Sequence, residues 1–137
     1  MRVFLDTNVL ASAFGTRGLC ADVLQIILEK HELVMGELVI EELRRALRTK
    51  FGMPAEIVKG YERFLRGYYV EPEPRQLPNL NLSERADLMI VASAINAKAE
   101  ILITGDHEML ALKKKPKGLR IISPREFWNL AMRTAPR

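Results

Sequence analysis

Short apolar segments alternate along this chain with longer segments whose apolar residues recur at helical spacing. The short segments are rich in β-branched and aromatic residues, which predicts strands at 3–5, 32–35, 68–70, 101–104 and 120–122. The longer segments predict helices, among them 18–30, 37–51, 55–66 and 83–98. Strands that alternate with helices form a parallel sheet covered on both faces. The sequence therefore predicts an α/β fold in three layers, α/β/α, around a mostly parallel central sheet of about five strands.

The length of 137 residues suits one domain with a substantial core, and we expect that domain to cover 1–132 while 133–137 fray. The apolar runs are far shorter than a membrane span, and an early arginine and aspartate make the N-terminus unlike a signal peptide. The single cysteine, Cys20, excludes an internal disulfide and a thiolate metal cluster. These features predict a cytoplasmic protein with no membrane partner.

Two details of the helices follow from side-chain chemistry and spacing. Ser83 has the hydroxyl that commonly caps a helix, so it is predicted to cap the helix that runs to about Lys98. In the segment 55–66, the helical spacing predicts a core-facing side made of Ile57, Val58, Tyr61, Phe64 and Leu65.

Aspartate is scarce in this chain, and its positions are unusual. The four aspartates are Asp6, Asp22, Asp87 and Asp106. Asp6 directly follows the apolar segment 3–5, and Asp106 follows the segment 101–104 after one glycine. A carboxylate beside buried apolar residues costs free energy unless something binds it. The alternative is that Asp6, or Thr7 beside it, only caps the helix that follows.

Two further acids belong to predicted helices. Placing residues at 100° steps puts Glu42 on the shoulder of the apolar face of its helix, while Glu41 falls nearly opposite and faces water. Asp87 lies in the first turns of a helix that is apolar on nearly every side. The alternative for Glu42 is an exposed acid that pairs with a neighbouring arginine. The alternative for Asp87 is a structural ion pair with Arg85.

Parallel strands end at one edge of the sheet, and the helices that follow them begin there. We therefore expect four acids to meet at one rim: Asp6, Glu42, Asp87 and Asp106. Carboxylates about 4 Å apart near a surface repel by on the order of 4 kcal/mol per pair, and a divalent cation removes that repulsion. An oxygen-only ligand set without thiolates favours Mg²⁺ or Mn²⁺ over Zn²⁺. Such a site can activate water against a phosphodiester.

The net charge of +4 permits a polyanionic partner without requiring one. Two basic clusters make a nucleic-acid partner more plausible. One contains Arg44, Arg45, Arg48 and Lys50, and the other contains Lys113, Lys114, Lys115, Lys117 and Arg120. The alternative is that both clusters are solvated surface.

Several of these segments together resemble a known family. Leu5–Val9, Glu41–Arg44, Asp87 with Ile90 and Ala94, and Ile103–Asp106 are similar, in order and spacing, to the motifs of PIN-domain nucleases. The ending Arg120–Phe127 resembles the branch described as toxins of bacterial and archaeal toxin–antitoxin pairs. The resemblance covers nearly the whole chain.

The resemblance implies roles for particular residues. The family's acidic positions fall on Asp6, Glu42, Asp87 and Asp106, which would be catalytic and metal-binding. Supporting polar positions fall on Thr7, Asn8 and Thr104. The implied activity is Mg²⁺- or Mn²⁺-dependent cleavage of single-stranded RNA by water, with a product that carries a 5′-phosphate. The implied partners are an antitoxin protein and a second copy of the chain in a homodimer.

One departure from the branch's pattern affects the third acidic position. Arg85 and Leu88 stand where extra acids are often found, so Glu84 or Glu108 would have to replace them as secondary ligands.

Two other functional classes compete with the nuclease. A PIN-like domain could bind RNA or protein without cutting, because a shared fold does not guarantee chemistry. An aspartyl-phosphate protein could use Asp6 as its nucleophile. The haloacid-dehalogenase type of site needs a second acid two residues later, where this chain has Asn8. A nucleotide-binding site is not predicted, because no glycine-rich phosphate loop is present.

Overall fold

A computed structural model describes residues 1–134 of the chain. Strands and helices alternate in it as the sequence predicts. The strands are β1 (Arg2–Leu5), β2 (Glu32–Gly36), β3 (Tyr69–Glu71), β4 (Ile101–Ile103) and β5 (Arg120–Ile122). The helices are α1 (Thr7–Gly15), α2 (Leu19–Lys30), α3 (Glu37–Thr49), α4 (Ala55–Leu65), α5 (Arg85–Asn96), α6 (His107–Leu110) and α7 (Pro124–Thr134).

All neighbouring strands are parallel, and their order across the sheet is β3-β2-β1-β4-β5. Leu5 pairs with Ile103, so β1 and β4 end side by side. The chain passes from β1 to one side of the sheet through β2 and β3, and later to the other side through β4 and β5. The boundary between β1 and β4 is therefore the topological switch point, where open α/β sheets bind their ligands. The three-layer α/β/α fold class is confirmed.

The two central strands are buried on both faces. Val3, Phe4 and Leu5 of β1 are fully buried, as are the apolar residues of β4. Continuous apolar runs of this kind are what a parallel strand covered by helices requires. Each fully buried side chain of this size contributes about 1.5–3 kcal/mol relative to an exposed one. The helices that cover the sheet also pack on one another: α1 on α2 and α3, α2 on α7, and α3 on α4.

Two predictions about the helices are wrong. Ser83 does not cap α5, because its hydroxyl and its backbone N–H both donate to the carboxylate of Glu108 instead. Ile57 and Phe64 of α4 are 51% and 44% exposed, although their spacing predicts a core position. The reason is that α4 packs mainly against α3, with Tyr61 also stacked on Phe14 of α1, so that the apolar face of α4 is wider than its contacts.

The C-terminal tail is only partly described. Arg133 and Thr134 lie in α7, and residues 135–137, where fraying is also predicted, lie outside the described residues. No helix within residues 1–134 has the length and apolarity needed to cross a bilayer.

Candidate functional site

The four acids singled out in the sequence line one cavity of about 230 Å³. Asp6 follows β1, Asp106 follows β4, Glu42 belongs to α3, and Asp87 belongs to the first turn of α5. The remaining wall is made mostly of small or apolar side chains: Ala11, Ala46, Ala86 and Ile90. We refer to this cavity as the acidic pocket. It lies at the switch point between β1 and β4.

The carboxylate of Asp6 is held by three donors. The Thr7 backbone N–H donates to Oδ1 at 2.7 Å, while the Thr104 hydroxyl donates to Oδ2 at 2.7 Å. The side-chain amide of Asn8 donates to Oδ2 at 3.4 Å. Asp6 is only 5% exposed, so these bonds replace most of the hydration that its charge loses on folding. The result is a carboxylate with a fixed orientation at the end of a buried strand.

Thr104 and Asn8 join the ends of β1 and β4. The Thr104 hydroxyl donates to Asp6 and accepts the backbone N–H of Asp106 at 3.0 Å. Asn8 accepts the backbone N–H of Gly105 at 3.1 Å. These bonds fix the two strand ends relative to each other. Both residues are therefore structural links between β1 and β4.

The helix-capping alternative is correct, and it does not exclude a site. Asp6 is the N-cap of α1, and its Oδ1 accepts from Thr7. Asp106 is the N-cap of α6, and its Oδ1 accepts the Met109 backbone N–H at 3.0 Å. Each carboxylate uses one oxygen for the cap. Capping thus positions these acids at the mouth of the pocket.

Glu42 is also held from inside the site. Its Oε2 accepts the Thr7 hydroxyl at 2.9 Å, which links α3 to the start of α1. Glu41 is exposed on the opposite side, as the helical spacing predicts. Within residues 1–134, Glu42 has no ion pair with an arginine, and Asp87 has none with Arg85.

Burial and the charges of neighbouring carboxylates make two of the acids harder to ionise. Burial raises the pKa of Asp6 above its usual value, the bonds from Thr104 and Thr7 oppose that rise, and the charges of Glu42 and Asp106 add to it. Burial, followed by the charges of Asp106 and Asp6, raises the pKa of Asp87 to about 6. Unlike Asp6, the Asp87 carboxylate accepts no hydrogen bond from the described part of the chain. A cation in the pocket would relieve both effects.

The donors fit a hydrated hard cation. All four side chains offer oxygen, which is the ligand chemistry of Mg²⁺ and Mn²⁺. Over residues 1–134, no three acidic, histidine or cysteine side chains are grouped tightly enough to hold one ion together. This arrangement suits Mg²⁺, which keeps several waters and binds through one or two carboxylates rather than a closed protein cage.

The comparison with known proteins agrees with this geometry. A family model of the PIN domain matches residues 2–108, which include all four acids. The chain belongs to the PIN-domain family. The resemblance seen in the motifs is confirmed. Among curated proteins, none matches this sequence.

Several solved structures share the fold of this PIN domain. VapBC2 from Rickettsia felis, solved with a DNA fragment from its promoter, matches with a TM-score of 0.65 and 16% identity over 90% of this chain and 98% of that chain. VapC20 from Mycobacterium tuberculosis, described as a toxin that cleaves the sarcin–ricin loop, matches with a TM-score of 0.58 and 15% identity over 83% and 99%. VapBC-1 from nontypeable Haemophilus influenzae matches with a TM-score of 0.51 and 22% identity over 77% and 87%.

The two basic clusters have different places on the PIN domain. Arg44 forms an ion pair with Glu62 at 2.8 Å, and Arg48 donates to the Met53 carbonyl at 3.1 Å. Both arginines line a separate cavity between α3 and α4, and Arg45 is exposed on the outer side of α3. The three arginines of this cluster therefore do not line the acidic pocket.

The second cluster lies in the segment after α6. Lys113, Lys114 and Lys115 are exposed, and Lys115 reaches the Ile121 carbonyl at 3.5 Å. Lys113 and Lys114 line a groove that also contains Glu108, two residues after Asp106. This cluster follows α6, the short helix whose N-cap residue Asp106 lines the acidic pocket.

Lys50 is a site residue that the sequence analysis placed only in a basic cluster. It lines the acidic pocket just after α3. A usable signal was present, because Glu42, Ala46 and Lys50 are spaced four apart and lie along one side of the helix.

The contact between Ser83 and Glu108 was also missed, and nothing local in the sequence could have revealed it. Glu108 was considered as a substitute metal ligand. Its carboxylate is instead occupied by the hydroxyl of Ser83, at 2.8 Å, and by the Ser83 backbone N–H.

Proposed function

We propose that this PIN domain is a Mg²⁺- or Mn²⁺-dependent endoribonuclease that hydrolyses single-stranded RNA. The observation that carries the proposal is the acidic pocket itself. Four carboxylates on four different elements line one small cavity at the switch point, and two of them have raised pKa values. Acids spread evenly over a surface do not have pKa values raised in this way, whereas a cation-binding site explains why carboxylates are placed together despite the free-energy cost of ionising them.

The chain's own residues would divide the work. Asp6 is the rigid ligand, because Thr7, Thr104 and Asn8 fix its carboxylate. The Asp87 carboxylate accepts no hydrogen bond from residues 1–134, so it can turn toward an arriving ion. Once bound by Asp6, Asp87 and Asp106 with Glu42, the cation would supply Lewis acidity to the attacking water and the phosphodiester.

The proposed reaction is a hydrolysis with defined products. The water oxygen forms a bond to phosphorus, and the bond between phosphorus and the 3′-oxygen breaks. The products end in a 5′-phosphate and a 3′-hydroxyl. Lys50 lines the same pocket as the four acids but is positively charged, so it would attract the phosphate of the substrate.

A binding module without catalysis is the second candidate, and one observation favours it. In the described range 1–134, no three potential ligands are grouped closely enough to hold an ion together. If the four carboxylates do not move together when a metal ion is added, the pocket would have lost catalytic activity. RNA cleavage and metal binding separate the two candidates.

The direct test offers the protein single-stranded RNA, double-stranded RNA and single-stranded DNA, with Mg²⁺, Mn²⁺ or EDTA. We expect cleavage of single-stranded RNA only with a metal, and 5′-phosphate ends on the products. Glu42→Gln removes one pocket carboxylate, and Glu41→Gln removes the exposed carboxylate beside it as a matched control. Loss of activity is expected for Glu42→Gln alone. Equal effects of the two substitutions, or no cleavage by the wild type, would contradict the proposal.

We further propose that the chain is the toxin of a toxin–antitoxin pair that acts in the cytoplasm. The support is that VapBC structures share this fold. The proposed protein partner is an antitoxin, which purification of the chain together with the product of an adjacent small gene would test.

A homodimer is proposed for the α4 side of the molecule. Ile57, Phe64 and Tyr68 form an exposed apolar stripe there, and the rings of Phe64 and Tyr68 are in edge contact at 5.5 Å. Glu56 and Lys59 beside the stripe have opposite charges. A two-fold contact between identical surfaces can pair such charges while it covers the stripe.

A further inference from the structure

A groove of about 710 Å³ lies beside the acidic pocket and is separate from it. One wall is formed by Asn79, Leu80 and Asn81, which precede α5, and the other by Lys113 and Lys114, which follow α6. Glu108, which belongs to the helix that Asp106 caps, also lines the groove. We call this the asparagine–lysine groove. It connects the two segments that also carry Asp87 and Asp106.

The contact between Ser83 and Glu108 holds the groove in shape. The Glu108 carboxylate receives the Ser83 hydroxyl at 2.8 Å and the Ser83 backbone N–H. This contact ties the segment before α5 to α6, so that the two walls stay at a fixed separation. It also engages both oxygens of the acid in the groove, which weakens its repulsion of an anion.

The free polar groups of the groove match single-stranded nucleic acid. Lys113 and Lys114 are exposed and form no ion pair within the described part of the chain. Asn79 and Asn81 are exposed and present amide groups that both donate and accept hydrogen bonds. Lysines neutralise phosphates, and amides pair with the exposed edges of unstacked bases.

The other large cavity lacks this combination. Of its charged residues, Arg44 and Arg66 are already bound to Glu62, and Arg66 is also bound to Glu37. These ion pairs engage two of the five cations that line the cavity, and among the described residues no asparagine or glutamine lines it.

We propose that the asparagine–lysine groove binds the nucleotides that flank the scissile phosphate of a single-stranded RNA. Lys113 and Lys114 bind backbone phosphates, while Asn79 and Asn81 read base edges. Within residues 1–134, no aromatic side chain lines the groove, so base preference comes from hydrogen bonds rather than stacking. The inference rests on the proposed ribonuclease function, but binding can be tested apart from cleavage.

The binding test uses Asp6→Asn protein, which is expected not to cut, and a short fluorescent single-stranded RNA of mixed sequence. Lys113→Gln with Lys114→Gln removes two charges from the groove. Lys30→Gln with Lys98→Gln removes two charges at the opposite edge of the sheet and is the matched control. Affinity is measured by fluorescence anisotropy at several salt concentrations.

Two lost phosphate contacts should reduce the slope of log affinity against log salt by about 1.4, since each contact to single-stranded nucleic acid contributes about 0.7. The control pair should leave the slope unchanged. If both pairs reduce it equally, or neither does, the groove is not an RNA site. If the groove pair weakens only the binding of a protein partner, the groove belongs to that protein and the inference is overturned.

The asparagines have their own readout. Asn79→Ala with Asn81→Ala should change the ratio of affinities among homopolymeric RNAs and leave the salt slope as it was. An unchanged ratio would overturn base reading. In protein that cuts, the lysine pair should raise KM for long RNA and leave kcat unchanged. If the wild type binds RNA with the predicted slope and does not cut, the cleavage proposal fails while the groove stands.

Discussion

The hydroxyl of Thr104 lies 2.7 Å from Oδ2 of Asp6, although 98 positions separate the two residues in the chain. Both residues are buried, and the same hydroxyl accepts the Asp106 backbone N–H at 3.0 Å. This one oxygen therefore joins the ends of β1 and β4. It sets the distance between two of the four acids and makes the switch point rigid.

Replacing Thr104 by valine tests this role. Thr104→Val keeps the shape, removes one of the three donors to the buried Asp6 carboxylate and leaves the Asp106 backbone N–H without its acceptor. We expect a loss of about 1.5–3 kcal/mol in unfolding free energy, the range for a hydrogen bond to a charged group. Urea denaturation measures it. Thr104→Ser, which keeps the hydroxyl, should recover most of the loss, and equal stabilities for the two variants would argue against the bond.

The crowded acids predict an unusual response of metal-free protein. Burial and the charges of Asp106 and Asp6 disfavour ionised Asp87. Asp87→Asn removes that charge, so in EDTA at neutral pH the variant should melt at a higher temperature than the wild type. With saturating Mn²⁺ the order should reverse, because the wild type gains ligand-linked stability. Differential scanning calorimetry measures both. A lower melting temperature for the variant in EDTA would show that the ionised Asp87 carboxylate does not destabilise the metal-free protein.

The strand ends were predictable from sequence, and the tertiary contacts were not. A carboxylate directly after a buried apolar strand costs free energy unless something binds it, and parallel strands end at one edge of the sheet. Asp6 and Asp106 could therefore be assigned to that edge from the sequence. Lys50 could have been found from its spacing after Glu42. The Ser83–Glu108 contact could not be found, because it depends on how the loop before α5 packs against α6 across a separation of 25 residues. The exposure of Phe64 likewise could not be predicted, because it depends on which elements of the fold pack against α4.

A surface ion pair provides the pH-dependent prediction. Arg66 donates two hydrogen bonds to the Glu37 carboxylate, at 2.8 and 2.9 Å, and they lower the pKa of Glu37 below its usual value. A carboxyl whose folded pKa is lowered adds stability above its unfolded pKa, and this stability is lost as pH falls through the folded pKa. The pair is partly exposed, so salt screens it.

A double-mutant cycle with Glu37→Gln and Arg66→Gln measures the pair. We expect a coupling of roughly 0.5–1 kcal/mol at neutral pH that vanishes once Glu37 is protonated in acid. Urea denaturation at both pH values gives the result. A coupling that persists in strong acid would mean that packing, rather than charge, joins the two residues.

The apolar stripe on α4 predicts the effect of one substitution on assembly. Phe64→Glu places a charge in the proposed two-fold contact, where its copy would lie close by. We expect light scattering to report a dimer for the wild type and a monomer for the variant, with unchanged melting of the monomer unit because Phe64 is already 44% exposed. A monomeric wild type, or a dimeric variant, would place the stripe outside any dimer contact.

The most direct test of the central claim is calorimetric titration of the wild type and of Asp6→Asn with Mn²⁺, with RNA cleavage followed in the same samples. Asp6→Asn keeps the size of the side chain and removes the charge, and its single carbonyl oxygen can accept either from Thr104 or from the Thr7 backbone N–H. The account predicts that the wild type binds Mn²⁺ and cleaves single-stranded RNA, while the folded variant does neither. A wild type that binds no metal and leaves RNA intact would contradict the account, and so would a variant that matches the wild type in both.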